Sequence, residues 1–203
     1  MSVQSRTTEE VLGLYENLAA KWWLFDIPST LLGLNRFRSM FRQATGDVLD
    51  VACGTGENFK YLTGADSVTA FDLSPEMVTR ARTRVGGFEV TVGDAQNMAY
   101  ADDSFDTVVS ALSSCTFPDY VAAFKEMERV TKPGGRILLL EHGRSSVARI
   151  AKYQDGRGVA KTMKFGGCRS NRDVRSELAE AGLNVVSHKR THLGMIDRLV
   201  IEV

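Results

Sequence analysis

The sequence predicts an α/β fold, and three observations carry that reading. Seven short apolar runs recur along the chain, each the length of a strand. Segments with helical spacing separate most of them, the alternation that builds a mostly parallel sheet with helices on its faces. The first run, Val48-Leu49-Asp50-Val51-Ala52, meets Cys53-Gly54-Thr55-Gly56. An apolar run ending in Gly-X-Gly is how a buried parallel strand stops when its backbone must bend sharply beside a ligand.

Two helical patterns precede that strand. Val11, Leu14, Tyr15, Leu18 and Trp22 recur at helix spacing, and Leu31, Leu34, Phe37 and Phe41 do so after Pro28. The aromatic stretch Lys21-Trp22-Trp23-Leu24-Phe25-Asp26-Ile27-Pro28 joins them. These helices are expected beside the sheet and over the mouth of any site. Trp22 and Trp23 then either pack as a cap or, with Tyr15, wall a substrate pocket, where aromatic faces suit an apolar ligand or a cation.

Residues 57–62 follow the glycines and are expected to begin a helix, whose first amides favour an anionic group. Strand two, residues 67–72, ends in Asp72, an acid placed to accept from both hydroxyls of a ribose. Leu73-Ser74-Pro75-Glu76-Met77 opens the next helix, with Ser74 as N-cap and Pro75 in the first turn. Strand three, residues 88–92, runs into Gly93-Asp94-Ala95. Strand four covers 105–110. A helix ending near residue 130 turns through Lys132-Pro133-Gly134-Gly135 into strand five, 137–141.

After Glu141-His142-Gly143-Arg144-Ser145 a basic, glycine-containing segment runs to Gly167. Ser170 and Asp173 have the spacing of a loose capping box, Ser170 as N-cap and Asp173 at N3, before a helix ending near Gly182. Residues 184–190 and 195–203 are the last two strands. His142 stands at the carboxyl end of strand five, where open α/β sheets place their sites. It is a candidate base, or a structural histidine. His188 and His192 read as structural. Arg144, Arg169 and Arg172 are either an anion-holding group or a solvated face.

Composition narrows the function. Lys plus Arg number 25, Asp plus Glu 25, so no net charge marks a nucleic-acid footprint. No apolar stretch reaches the length of a membrane span. The first ten residues are polar, unlike a signal peptide, so a cytoplasmic location is expected. Residues 22–27 suit either core packing or peripheral contact with lipid. Cys53, Cys115 and Cys168 are far apart and show neither metal-ligand spacing nor a disulfide framework, so no metal is expected.

The glycine turn points to a nucleotide-like cofactor. A dinucleotide fingerprint needs a third glycine where Phe59 stands, which disfavours a nicotinamide dehydrogenase, and no Gly-Lys-Ser/Thr loop is present. Asp50-X-X-X-Gly54-X-Gly56, with Asp72, Asp94 and the Gly134-Gly135 turn at their intervals, resembles the class I S-adenosylmethionine-dependent methyltransferases over roughly residues 45–145. Glu141-His142-Gly143-Arg144-Ser145, Leu112-Ser113-Ser114-Cys115-Thr116 and the later Gly-Cys-X-X-Asn-Arg-Asp resemble a narrower group. That group is the ubiquinone/menaquinone-methyltransferase-like branch with its thiol and phospholipid methyltransferase relatives.

The resemblance implies one methyltransferase domain over 1–203. It divides into a helical cap (1–44), a cofactor-binding core (45–145) and a substrate-side segment with the last two strands (146–203). It also implies the strand order 3-2-1-4-5-7-6, the last strand antiparallel. For S-adenosylmethionine it implies Asp50 near the methionine ammonium, Gly54 and Gly56 beside it, and Asp72 on the ribose. Met77 would lie on the adenine face, and Asp94 and the Ala95 amide at the adenine edge. Ala52 and Leu73 line the same site, and Ser110 and Cys115 border the sulfonium. Met77 also suits plain core packing, and Asp94 a turn or cap.

The acceptor-side set is Trp22, Trp23, His142 and Asn171, with Tyr15, Cys115 and His142 as catalytic candidates. The expected reaction is methyl transfer to a small, lipophilic thiol, amine, phenol or quinol. The alternative is a non-catalytic S-adenosylmethionine-binding protein serving an assembly or regulatory partner.

Overall fold

A computed structural model describes residues 6–19, 34–84 and 88–203. Trp22 and Trp23 lie outside those residues. Helix α1 (Thr8–Ala19) opens the described chain. Thr7 caps it reciprocally: its Oγ1 accepts from the Glu10 amide at 3.2 Å, and Glu10 Oε2 accepts from the Thr7 amide at 2.9 Å. Leu34–Gln43, the second expected helix, is wound as a tight 3-10 helix.

The seven strands are β1 (Gly46–Val51), β2 (Ala65–Asp72), β3 (Glu89–Val92), β4 (Phe105–Ala111), β5 (Thr131–His142), β6 (Val185–Thr191) and β7 (Ile196–Glu202). They form one sheet in the order β3-β2-β1-β4-β5-β7-β6. The pairs from β3 to β5 are parallel, and β7 is antiparallel to both β5 and β6. The expected order and the inverted last strand are those found.

Strand periodicity divides the core between the two faces of this sheet. Along β5, Ile137 and Leu139 face one cluster with Leu49, Phe105, Val108, Phe124 and Met127. Leu138 and Leu140 face the other with Phe41, Val48, Ala70 and Val109. Because both faces are covered, β1 and β4 read as nearly continuous apolar runs. The edge strand β6 is half exposed and carries Ser187, His188, Lys189 and Arg190.

Helix α2 (Pro75–Arg82) begins as expected, the Ser74 side chain accepting from the Met77 amide with Pro75 in the first turn. Helix α3 (Tyr120–Val130) is capped by Asp119. Helices α4 (Ala148–Tyr153) and α5 (Val159–Gly166) are joined by a π-helical turn (Gln154–Gly158), so one helical run covers most of the segment after β5. Helix α6 (Val174–Glu180) precedes β6.

Three boundaries differ from the sequence expectation. Residues 57–62 form turns and one short 3-10 turn (Phe59–Tyr61) instead of a helix. The Asn58 side chain is drawn back to Asp50, and Leu62 leaves the helical region at ψ 42°. Strand β5 starts at Thr131, because Thr131 pairs with Phe105 before the Gly134-Gly135 irregularity. The N-cap of α6 is Asp173, not Ser170: the Asp173 carboxylate accepts from the Ser176 amide at 3.3 Å. Arg172 turns inward there, its Nη1 on Ser114 Oγ at 2.9 Å and its Nε on Glu177, which delays the helix start.

Leu139 is fully buried between Ser110 of β4 and Leu199 of β7. Leu139→Ala should cost about 2–5 kcal/mol, the range for a buried leucine cavity. In urea the midpoint should fall with an unchanged slope; an unchanged midpoint would contradict this packing.

Candidate cofactor and acceptor site

Strand order places the site. β1 and β4 are neighbours where the order reverses, and open α/β sheets bind ligands outside the carboxyl ends of the strands at that point. A cavity of about 380 Å³ lies there, inside the range of ligand pockets. It reaches from Gly93 and Asp94 after β3 to His142 at the end of β5. Two residues on its wall, Ala52 (φ 53°) after β1 and Leu112 (φ 57°) after β4, hold a left-handed backbone that non-glycine residues rarely adopt.

The carboxylate of Asp72 joins the tips of β1 and β2. Its Oδ2 accepts from the Gly54 amide at 2.8 Å and its Oδ1 from the Ser74 amide at 2.9 Å. Burial pushes this carboxyl up from the ordinary value, and the Ser74 and Gly54 amides pull against that shift. Gly56 (φ 82°) leaves no room for a side chain: a Cβ there would stand 2.3 Å from the Phe59 ring. That ring fills the space a third glycine would leave open, edge-on to Phe88 at 5.4 Å.

Ala52, Gly54, Asp72, Leu73, Met77, Asp94, Ala95 and Cys115 all reach the cavity wall. Tyr15 and His142 do too. Three expected residues stand behind it. Asp50 is fully buried and accepts from Asn58 Nδ2 at 2.9 Å; Asn58 occupies the wall in its place. Gly56 supports the turn through its amide on Cys53 O. Ser110 donates to Val51 O and meets Ser113 Oγ, and Ser113 faces the cavity.

Asn171 stands elsewhere, its Nδ2 on exposed Asp155 at 3.4 Å. The arginines are engaged in structure: Arg144 pairs with Asp155, Arg169 donates to Phe117 O, and buried Arg172 pairs with Glu177. His188 is held by Asp197.

Sequence reasoning missed several wall residues. Arg38 donates to Asn58 Oδ1, which orients the amide that holds Asp50. Gln96 is bound by Asp94 and reaches Thr8 Oγ1 at 3.2 Å, tying α1 to the loop after β3. Thr55 Oγ1 and Asp50 Oδ2 are buried with no hydrogen-bond partner among the described residues. The Thr7-X-X-Glu10 capping box was the one readable signal that α1 starts where it does. None marked Arg38, because an arginine on a helix reads as solvated until the fold places it.

At the far end, Cys168 and Cys115 converge on His142. Nδ1 of His142 is 3.3 Å from Cys168 Sγ and 3.8 Å from Cys115 Sγ. His142 and Cys115 are 27 positions apart and His142 and Cys168 are 26, which is why their spacing carried no signal. A hydrogen bond with Cys168 and burial push the Cys115 thiol well up. At His142 burial opposes the charged form, but the Cys115 hydrogen bond and the Cys115 and Glu141 charges outweigh it and raise the imidazole. Burial holds the Tyr15 phenol far above its usual range, so it stays protonated and keeps its O–H to donate.

The Asp50 carboxyl is pushed up to about 7, chiefly by burial, with Asn58 and Arg38 working against the shift. Raised above its ordinary value, it takes stability from the fold as pH rises from about 4 to about 7, because the unfolded chain ionises first. Thermal melts of the unliganded protein should therefore weaken across that window. Asp50→Asn should flatten the profile; an equal pH slope in the variant would remove Asp50 as its source.

Residues 49–139 match the methyltransferase domain family. The chain is 34% identical over 182 residues to the mitochondrial methyltransferase OMS1 of Saccharomyces cerevisiae, covering 78% of this chain and 38% of that protein. It is 32% identical over 154 residues to the demethylmenaquinone methyltransferase of Chlorobaculum parvum, covering 68% of this chain and 62% of that protein. It is 37% identical over 112 residues to the ubiquinone/menaquinone biosynthesis C-methyltransferase UbiE of Bdellovibrio bacteriovorus, covering 52% of this chain and 48% of that protein. The chain thus spans less than two thirds of the length of these curated relatives.

Among solved structures, an S-adenosylmethionine-dependent methyltransferase from Thermotoga maritima superposes with a TM-score of 0.69 at 19% identity. It covers 93% of this chain and 98% of that one. One from Mesorhizobium loti gives 0.62 at 16% identity, covering 79% of this chain and 93% of that one. At such identities these two likenesses speak for the fold alone.

Proposed function

The chain belongs to the class I S-adenosylmethionine-dependent methyltransferases, on their UbiE-like branch, and from that premise we propose that it methylates a small, lipophilic organic acceptor: a thiol, amine, phenol or quinol. The observation that carries this reading is the continuity of the cavity, from the Asp72 end across β1 and β4 to His142. A protein that only stored the cofactor would have no use for the stretch beyond β4. That extension supports catalysis over the non-catalytic reading.

The donor end fits an adenosine carrying an amino-acid tail. Asp72 still has lone pairs for two ribose hydroxyls after accepting from Gly54 and Ser74. Met77 and Ala95 offer apolar surface to the adenine, with Asp94 at its edge. Thr55 Oγ1, buried without a partner, and Asn58, backed by Asp50, stand where the polar tail would reach. Bound there, S-adenosylmethionine supplies an electrophilic methyl on a sulfonium, so the protein's task is alignment. Leu112 and Phe117 add apolar wall toward the acceptor end, and Tyr15, Cys115 and His142 are the polar groups within it.

Lipophilic acceptors also suit the outer surface of the covering segment. Tyr153 and Phe165 are more than half exposed there, among exposed Lys152, Lys161 and Lys164. That mixture supports peripheral contact with an anionic lipid surface. No described helix is long and apolar enough to cross a membrane.

Calorimetric titration tests the assignment. Wild-type protein should bind S-adenosylmethionine and its demethylated product. Asp72→Ala should lose two charge-assisted hydrogen bonds, about 3 kcal/mol or roughly a hundred-fold in affinity. Undiminished binding by a folded Asp72→Ala variant would sink the placement, and no binding by wild type would sink the cofactor itself.

A further inference from the structure

We propose that Cys115, His142 and Cys168 form a site for a thiophilic divalent cation, its fourth position open to the cavity to receive an acceptor thiol. The thiol half of this proposal rests on the methyl-transfer reading above; the cation half does not.

The geometry comes first. Sγ of Cys115, Sγ of Cys168 and a ring nitrogen of His142 lie within 4.8 Å of one another, the one such group of metal-capable side chains among the described residues. In a tetrahedral zinc site, bonds of about 2.3 Å to sulfur and 2.05 Å to nitrogen put sulfur and nitrogen about 3.6 Å apart. The distances here, 3.3 and 3.8 Å to His142 Nδ1, straddle that value. Both sulfur–nitrogen separations are therefore close to one edge of such a tetrahedron.

The scaffold holds them there. Cys115 sits on the short 3-10 turn Ser114–Thr116 after β4, His142 ends β5, and Cys168 follows the left-handed Gly167 that terminates α5. Three bonds pin the two cysteine loops. The Arg169 amide donates to Cys115 O at 3.0 Å, Arg169 Nη2 to Phe117 O at 3.1 Å, and Thr162 Oγ1 to Cys168 O at 2.7 Å. Cys53 provides the contrast, a buried cysteine whose sulfur donates to the Gly54 carbonyl and belongs to no metal-capable group among the described residues.

Donor chemistry then selects the ligand. Two thiolates and an imidazole favour zinc or another thiophilic ion over magnesium or calcium. Three protein ligands with a vacant fourth corner are the arrangement of catalytic zinc, whereas structural zinc uses four. All three residues line the cavity, so the vacant corner opens toward the acceptor. A thiol that takes this corner gives its proton to solvent and stays as a bound thiolate. Its sulfur forms the new bond to the methyl carbon as the bond from that carbon to the sulfonium breaks. The breaking pair remains on the cofactor sulfur. The product is a neutral thioether, a poorer ligand than the thiolate, and it departs; no oxidant or reductant is consumed.

The test uses the full chain, reduced, stripped by chelator and titrated with cobalt(II), then zinc. Cobalt should saturate at one equivalent with intense near-ultraviolet thiolate-to-metal absorption, and zinc should displace it. Cys115→Ser and the partly exposed Cys168→Ser should each leave about half that absorption, one of two thiolates being lost. His142→Asn should weaken zinc by more than the roughly 10–100-fold cost of losing a mere supporting partner. Adding a small alkyl thiol should shift the cobalt spectrum. Absence of the absorption in wild type, or its persistence in a folded double cysteine variant, overturns the cation site. Methylation of thiols undiminished by chelator overturns the site's role while leaving the methyl-transfer reading intact. A cobalt site with these signatures, but no thiol methylated, overturns the thiol half and leaves the cation half standing.

Discussion

The site depends on one carboxylate with two amides to hold. Asp72 accepts from Gly54 on one oxygen and from Ser74 on the other, so a single side chain couples the turn after β1 to the start of α2. Without it the partly buried Gly54 amide and the buried Ser74 amide would lose their partner, the latter at a cost of about 1–3 kcal/mol. Burial of the charge opposes the arrangement, and the two amides offset that penalty. The β2 end also anchors β3's exit, since the Gly93 amide donates to Asp72 O. Three strand ends are thereby registered at one point, and the cavity floor follows from them.

Around this point the wall is built by side chains that act through one another. Arg38 orients Asn58, which holds Asp50 and keeps it off the cavity surface. Asp94 orients Gln96, which reaches α1 through Thr8 and receives the Asp119 amide at the start of α3. The neutral amide of Asn58 thus stands between buried Asp50 and the cavity, while Asp72 and Asp94 reach the wall themselves.

The acceptor end follows a different logic. Two sulfurs and an imidazole converge there beside the Tyr15 hydroxyl, and the three come from separate segments locked by Arg169 and Thr162. Around Asp72 the cavity wall presents carboxylate and amide oxygens; around His142 it presents sulfur.

Much of this protein was legible in one dimension. Strand periodicity and the Gly-X-Gly turn located β1 to β7 within a few residues, the start of β5 excepted, because buried strands leave a contiguous apolar record. Ser74, Asp72 and Met77 were readable because local capping and strand-end rules act over neighbouring positions. Asp50 and Ser110 sit at the expected strand ends but one layer behind the cavity wall; only packing decided that Asn58 and Ser113 stand in front. The helix expected at 57–62 failed because Asn58 serves a distant aspartate.

The sequence by itself determined the sheet and its Asp72 anchor, since both arise from local pattern. The tertiary structure alone decided the convergence of Cys115, His142 and Cys168. Parallel strands joined by long crossovers bring distant residues to one edge, and no local spacing records which of them will meet.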